Sequence, residues 1–175
     1  MKYLLALLIF NCCSFVTKPT VAQETESLEY GVTEKHIMVP MRDGVRLSIY
    51  LYIPKGEGPW PALLEQRYAN ARSLRARNEF AKLASHGYVV ALQSFRGSQL
   101  SEGTWVGYRA LGWGKLKDGY DTVEWLAQQK WCTGKIGTFG SSQAGYAQNF
   151  LAVTQPPSLT AQYMIDTGLS LFQEG

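Results

Sequence analysis

A serine set among small residues, between a strand-like run and a helix-like run, constrains this chain more than any other feature. The segment 140–145 reads GSSQAG; it follows the strand-like residues 135–139 and precedes the helix-like residues 143–153. A serine held on a sharp strand-to-helix turn is the arrangement of a nucleophile elbow. Such a turn is sterically crowded, so the positions two before and two after the nucleophile must be small.

This size requirement selects between the two serines of the turn. With Ser142 as the nucleophile, the crowded positions hold Gly140 and Ala144. With Ser141, they would hold a phenylalanine and a glutamine, and both would clash. Ser142 is therefore the predicted nucleophile, and the backbone N–H of Gln143 is predicted to face the developing oxyanion. These six residues by themselves are equally compatible with an ordinary glycine-serine turn between a strand and its crossover helix, without a catalytic role.

The composition is that of one globular domain with no strong charge bias. The chain has 175 residues, of which 46% are hydrophobic and 18% charged, and its formal net charge is +3. These values exclude a disordered chain and give no sign of a nucleic-acid partner. Four arginines do cluster in the sequence, and we interpret them as a solvated loop and the start of a helix: Arg67, Arg72, Arg75 and Arg77.

The first residues, 1–22, have the pattern of a secretory signal peptide. Lys2 precedes the apolar run 3–10, which is too short to span a bilayer, and residues 20–22 offer a cleavage site with small first and last members. A mature chain would then start at Gln23. We expect the protein to be exported to the periplasm or the extracellular space, without stable membrane insertion after cleavage.

The positions of the cysteines allow a second interpretation of residues 1–22 and limit the covalent and metal chemistry of the mature chain. Cys12 and Cys13 allow a lipoprotein anchor, but Phe10 and Asn11 are poor residues to precede a lipidated cysteine. Cys132 is then the only cysteine of the mature chain, which excludes a disulfide framework and a thiolate metal site. We interpret Cys132 as structural, and we expect no metal and no cofactor.

The order of strand-like and helix-like runs predicts an α/β fold. Strands and helices alternate after residue 60, which predicts a mostly parallel sheet with helices on both faces. The earlier runs 36–40 and 47–53, with an Asp-Gly turn between them, predict an antiparallel N-terminal hairpin. We predict a flexible start over 23–32 and a long irregular connection over 94–113. The later predicted strands are 61–66, 88–93, 135–139 and 160–165, and the predicted helices are 77–85, 118–129 and 143–153.

Three further motifs accompany the elbow in a fixed order. They are MRDGVRL at 41–47, RG at 96–97 with SEG at 101–103, and DGYDTVEWL at 118–126. Together with the elbow, they resemble the X-Pro dipeptidyl-peptidase/cocaine-esterase group of α/β-hydrolases. The resemblance extends over residues 33–170. It implies that 33–175 is the N-terminal part of an α/β-hydrolase domain, incomplete at its C-terminus.

The resemblance also implies roles for individual residues. The group consists of serine hydrolases that cleave acyl ester or amide bonds, so the implied substrate is a small acyl ester, an amide or a short peptide, and Ser142 would carry the acyl group. Its oxyanion hole combines the N–H after the serine, here that of Gln143, with a tyrosine hydroxyl after the third strand. Tyr68 matches that tyrosine, although Arg67 directly precedes it where the group usually has an intervening proline. A half-buried aromatic at a strand end is the alternative interpretation of Tyr68. The group also usually has a tyrosine at the position of Gln143.

The acid and the histidine of a catalytic triad do not follow the serine in this sequence. In α/β-hydrolases the order along the chain is serine, acid, histidine. His36 and His86 both precede Ser142, and we interpret both as structural or surface residues. Asp166 follows the elbow too closely to be the usual acid. Asp121 and Glu124 are interpreted as helix charges.

Two hypotheses account for the missing triad members. The first is an N-terminal fragment of a longer serine hydrolase, whose acid and histidine lie beyond residue 175. The second is a truncated or inactive hydrolase-like protein that has lost them. In either case we expect the mature chain, 23–175, to be inactive by itself and to associate through the exposed edge of its last predicted strand, 160–165.

Overall fold

Strands and helices alternate along residues 25–168, the part of the chain that the computed structural model describes. The strands are β1 (Thr25–Ser27), β2 (Thr33–Pro40), β3 (Arg46–Ile53), β4 (Trp60–Arg67), β5 (Val89–Ser94), β6 (Cys132–Ser141) and β7 (Leu159–Ile165). The helices are α1 (Leu74–Ala84), α2 (Arg109–Gly112), α3 (Asp118–Ala127) and α4 (Gln143–Ala152). The predicted signal peptide, 1–22, with its two cysteines, lies outside the described residues.

All seven strands form one sheet in the order β1-β2-β3-β5-β4-β6-β7. Strands β1, β2, β3 and β5 pair antiparallel with one another in that order, whereas β5, β4, β6 and β7 form a parallel set. The predicted α/β architecture, with an antiparallel N-terminal hairpin beside a parallel sheet, is therefore confirmed. The sheet is open, and within the described residues β7 pairs only with β6.

Helices cover both faces of the sheet, as the sequence predicts. In β3, Ile49 and Leu51 pack in one core cluster with Val123 of α3 and Leu151 of α4. The alternate residues of the same strand, among them Tyr52, pack in a second cluster with α1. Because side chains alternate across a strand, a strand that is apolar at every position must be covered on both faces. No helix within the described residues is long and apolar enough to cross a membrane.

The structure differs from the predicted elements at several boundaries and in two connecting segments. Helix α1 begins at Leu74 rather than Arg77, because Ser73 caps it by accepting a hydrogen bond from the Ala76 N–H at 3.2 Å. The connection predicted to be irregular over 94–113 contains the single turn α2. In the described part of the predicted flexible start, 23–32, β1 pairs with β2 and a 3-10 turn follows. Pairing of backbones at a sheet edge needs no apolar pattern, so β1 cannot be predicted from hydrophobic periodicity.

One arginine joins three segments that are distant in the sequence. Arg96 is buried and donates to Asp118 through Nε at 2.9 Å and through Nη2 at 2.7 Å. Its Nη1 donates to Asp43, in the turn between β2 and β3, at 2.7 Å. These hydrogen bonds hold the pKa of Asp43 below its usual value, whereas burial raises the pKa of Asp118 against the opposing effect of Arg96. The motifs at 41–47, 96–97 and 118–126 thus meet in one ion network around the buried Arg96 side chain, where their role is structural.

Replacing Arg96 by methionine should lower the free energy of unfolding by about 3–5 kcal/mol, because the buried Asp118 would lose its charged partner and its hydrogen bonds. Urea denaturation of the full-length protein would measure the loss. Arg46→Met is the matched control, since Arg46 pairs with Glu102 at the surface and both side chains are substantially exposed. Equal effects of the two substitutions would contradict the structural role of the Arg96 network.

The interpretation of the arginine cluster as a solvated loop is wrong for part of the cluster. Arg72 and Arg77 are half-buried, and both pair with Glu34 of β2, which is itself buried. The Arg72 guanidinium also lies 3.5 Å from the centre of the Tyr50 ring. A glutamate buried on a sheet needs cationic partners, and these come from 38 and 43 residues further along the chain. Arg75, by contrast, is exposed as predicted.

Candidate active site

The turn between β6 and α4 holds Ser142 in a strained backbone conformation. Its φ is 53° and its ψ is −116°, in a region that residues other than glycine rarely adopt, and the residue is exposed. The Ser142 N–H donates to the carbonyl of Ile165 in β7 at 3.0 Å. The Ser142 carbonyl accepts from the N–H groups of Gly145 and Tyr146 at 2.9 and 3.0 Å. Hydrogen bonds on both sides therefore fix the strained turn at the carboxyl end of β6.

The small residues of the turn are required by close packing. A Cβ atom added to Gly140, whose φ is 146°, would lie 2.5 Å from the Cβ of Ala144. A Cβ atom added to Gly145 would lie 2.6 Å from a methyl carbon of Thr167. Both distances are far below van der Waals contact, so neither position accepts a larger residue without a shift of the turn. The geometry expected for an elbow centred on Ser142 is therefore present.

Ser141 has a different environment from its neighbour. It ends β6, where it pairs in parallel register with Ile165 of β7. Its hydroxyl donates to the carboxylate of Asp166 over 3.5 Å, which is a long hydrogen bond. Asp166 thus lies beside the elbow and contacts Ser141, which is not the predicted nucleophile.

Gln143 is the first residue of α4 and lies directly after Ser142. The first N–H groups of a helix have no partner within the helix, so the Gln143 N–H can donate to a group outside it. The Gln143 side chain makes contacts that the sequence did not indicate. Its Oε1 accepts hydrogen bonds from the backbone N–H groups of Tyr68 and Ala69, each at 3.3 Å. The structure therefore brings Gln143 and the segment after β4 together.

Tyr68 follows the last residue of β4 and is 40% exposed. Its ring packs edge-on against three aromatic rings, with centroid distances of 5.3 Å to Trp105, 5.9 Å to Phe95 and 6.3 Å to Tyr108. Strands β4 and β6 are parallel neighbours, so their carboxyl ends meet at the same edge of the sheet. For this reason Tyr68 and the elbow lie together although they are more than 70 residues apart in the sequence.

An aromatic cluster beside the elbow was not identified from the sequence. Tyr108 stacks on Phe150 of α4 at 5.3 Å and packs against Tyr146, the fourth residue of α4, at 6.4 Å. Burial raises the pKa of Tyr108 to about 12. Trp105 is 47% exposed, so this ring of the cluster faces solvent. The signal that could have indicated it was the length of the connection after β5, since long connections are often functional.

Both histidines lie away from the elbow. His36 belongs to β2, four strand spacings from β6, or about 19 Å across the sheet. It bonds to the Ser48 hydroxyl at 2.9 Å and stacks on Tyr50 at 4.5 Å. His86 lies between α1 and β5, beside the amino end of β5 and so at the edge of the sheet opposite to the elbow, and it donates through Nδ1 to the carbonyl of Lys82 at 2.8 Å. Within residues 25–168, therefore, neither histidine is placed to take a proton from Ser142.

The remaining titratable residues considered from the sequence have structural contacts. Asp121 pairs with Arg42 at 2.7 Å, and Glu124 accepts from both the N–H and the hydroxyl of Ser158 at 3.1 Å. Cys132 is half-buried, and burial raises the pKa of its thiol, which disfavours the reactive thiolate. Within the described part of the chain, no group of three or more His, Cys, Asp or Glu residues could hold a metal ion.

The chain is similar in sequence and in fold to several known proteins. The chain is 37% identical over 131 residues to cocaine esterase from Rhodococcus sp. (strain MB1 Bresler), over 72% of this chain and 22% of the esterase. An aminopeptidase structure from a marine sediment Thaumarchaeota archaeon superposes with a TM-score of 0.67 and 27% identity, over 78% of this chain and 26% of the other. The structure of an α-amino acid ester hydrolase superposes with a TM-score of 0.66 and 27% identity, over 88% of this chain and 28% of the other. The chain thus spans about a quarter of the length of these relatives.

The same relationship is found at the level of the family. The family model described as X-Pro dipeptidyl-peptidase (S15 family) matches residues 43–175. The match starts at Asp43, which pairs with Arg96, and includes Tyr68 and the whole elbow. It extends over more than half of the chain and confirms the resemblance inferred from the four motifs. The chain therefore belongs to the X-Pro dipeptidyl-peptidase (S15) family of α/β-hydrolases.

Proposed function

We propose that this chain carries the nucleophile of a serine hydrolase that cleaves acyl ester or amide bonds. The observation that carries the proposal is Ser142, exposed and strained at the elbow between β6 and α4. Strain of this kind persists only where the surrounding structure enforces it, and it is concentrated at functional sites. The names of the relatives, an esterase, an ester hydrolase and an aminopeptidase, support the same class of reaction.

In the proposed reaction, the Ser142 oxygen attacks the carbonyl carbon of the substrate and gives its proton to a base. The carbonyl oxygen becomes an oxyanion, which accepts hydrogen bonds from the Gln143 N–H and the Tyr68 hydroxyl. Collapse of this intermediate breaks the bond to the alcohol or amine, which leaves with the proton from the base. Water then attacks the acyl-enzyme by the same route and releases the acid.

The surroundings of Ser142 favour a small acyl substrate with an apolar part. The rings of Tyr68 and Trp105 are partly exposed beside the turn, with Tyr108 behind them. Aromatic side chains supply large apolar contact areas at little conformational cost. We therefore propose small acyl esters, amides or short peptides as substrates, with an apolar group against this aromatic cluster.

A fluorophosphonate reagent tests the proposal directly. An activated serine attacks the phosphorus and expels fluoride, which leaves a stable covalent adduct. We expect the full-length protein to be labelled at Ser142, with the modified peptide identified by mass spectrometry, and Ser142→Ala to remain unlabelled. Absence of labelling in the full-length protein would favour the alternative, an inactive hydrolase-like protein. Labelling of another serine would contradict the assignment of Ser142.

The missing base leads to a separate prediction for the mature chain, 23–175. Since His36 and His86 both lie away from the elbow, Ser142 in this chain alone should have an unactivated hydroxyl. We expect this chain to hydrolyse a p-nitrophenyl ester no faster than its Ser142→Ala variant. Faster hydrolysis that depends on Ser142 would show that a base lies within these residues.

A further inference from the structure

The side chain of Gln143 has contacts that its proposed backbone role does not require. A backbone N–H can point at an oxyanion whatever the side chain is. Yet Oε1 of Gln143 accepts from two consecutive backbone N–H groups, those of Tyr68 and Ala69, at 3.3 Å each. Only a side-chain acceptor with two available lone pairs can bind both amides at once. The two bonds join the start of α4 to the segment that carries Tyr68.

The segment that begins at Tyr68 lies just beyond the regular hydrogen bonds of the sheet. The ladder between β4 and β5 ends where Arg67 pairs with Ser94. Beyond that point, the Tyr68 carbonyl accepts from Nε2 of Gln99, an exposed side chain, at 3.2 Å. Gln143 binds the N–H of the same residue from the side of the elbow. The Tyr68 backbone is thus held from two sides, and its connection to the elbow runs through Gln143.

We propose that the Gln143 side chain is a positioning residue for Tyr68. It fixes the Tyr68 segment against the elbow and thereby sets the separation between the two oxyanion donors, the Gln143 N–H and the Tyr68 hydroxyl. This inference rests on the proposed serine-hydrolase function. Because donors aimed at an oxyanion act only when they are held in place beforehand, loosening the segment should weaken stabilisation of the transition state more than binding of the substrate.

Gln143→Met tests the inference in the full-length protein, because methionine has a similar length and cannot replace the amide acceptor. We expect kcat for an acyl ester to fall about tenfold, because the Tyr68 hydroxyl would be held less well where the oxyanion forms, with KM changed by less than about twofold. Gln128→Met is the matched control, since Gln128 is an exposed residue at the end of α3, and it should leave both constants unchanged. Hydrogen–deuterium exchange should show faster exchange of the Tyr68 and Ala69 amides in Gln143→Met, whether or not the variant is active.

A double-mutant cycle with Tyr68→Phe separates positioning from general stability. If Gln143 acts through the Tyr68 hydroxyl, the double variant should lose about as much kcat as Tyr68→Phe alone, roughly 10²–10³-fold, rather than the further loss of about tenfold expected for independent effects. Independent effects, or unchanged amide exchange, would overturn the inference. If Tyr68→Phe has no effect while Ser142→Ala abolishes activity, the positioning role of Gln143 is rejected and the proposed serine mechanism is retained. If Ser142→Ala retains activity, the proposed function itself fails.

Discussion

Replacing Ser142 by alanine in the full-length protein should lower kcat for an acyl ester by about 10³-fold or more. The substitution removes the oxygen that forms the acyl-enzyme, and the oxyanion donors alone provide only a residual rate enhancement. Alanine differs from serine by one atom, so the elbow and its hydrogen bonds to Ile165 and Gly145 should remain. Steady-state hydrolysis of a p-nitrophenyl ester measures the loss, and circular dichroism verifies the fold.

Ser141→Ala is the control that the chain itself provides. Ser141 is adjacent to Ser142, but it belongs to β6 and its hydroxyl contacts Asp166 over 3.5 Å. We expect this substitution to change kcat by only a few-fold, since it removes one long hydrogen bond at the edge of the site. If the two alanine variants had equal effects, or if Ser141→Ala had the larger one, Ser142 would not be the nucleophile.

Replacing Tyr68 by phenylalanine should lower kcat by about 10²–10³-fold and leave KM nearly unchanged. Loss of one oxyanion donor costs about 2.7–4 kcal/mol of transition-state stabilisation in comparable enzymes. The ring itself stays, so its packing against Phe95, Trp105 and Tyr108 should be preserved. Initial rates over a range of substrate concentrations separate kcat from KM.

The alternative interpretation of Tyr68, a half-buried aromatic with a packing role, gives a different result. In that case Tyr68→Phe would leave kcat unaffected, and only Tyr68→Ala would reduce stability or activity. Tyr163→Phe, at an exposed position of β7, which within the described residues pairs only with β6, serves as the matched loss of a phenolic hydroxyl. We expect it to have no effect on either constant.

Local sterics made the elbow predictable from the sequence. The crowding around Ser142 involves only residues within a few positions of it, and the structure shows the same restriction, with no room for a side chain at Gly140. The strands of the parallel sheet were also predictable, because a strand buried on both faces must be apolar at successive positions. The predicted start of α1 lies three residues too late, because the prediction does not take Ser73 as the cap of the helix. That cap is a local signal, so the sequence did contain it.

Contacts between distant segments were decided only by the tertiary structure. The sequence by itself determined the class of fold, the family motifs and the selected serine, since each depends on neighbouring residues. It did not place Arg72 on Glu34, or the side chain of Gln143 on Tyr68, because those contacts depend on the order of strands in the sheet. With β4 inserted between β5 and β6, the ends of β4 and β6 meet at one edge of the sheet. Residues separated by 75 positions in the sequence therefore become hydrogen-bonded neighbours in the candidate active site.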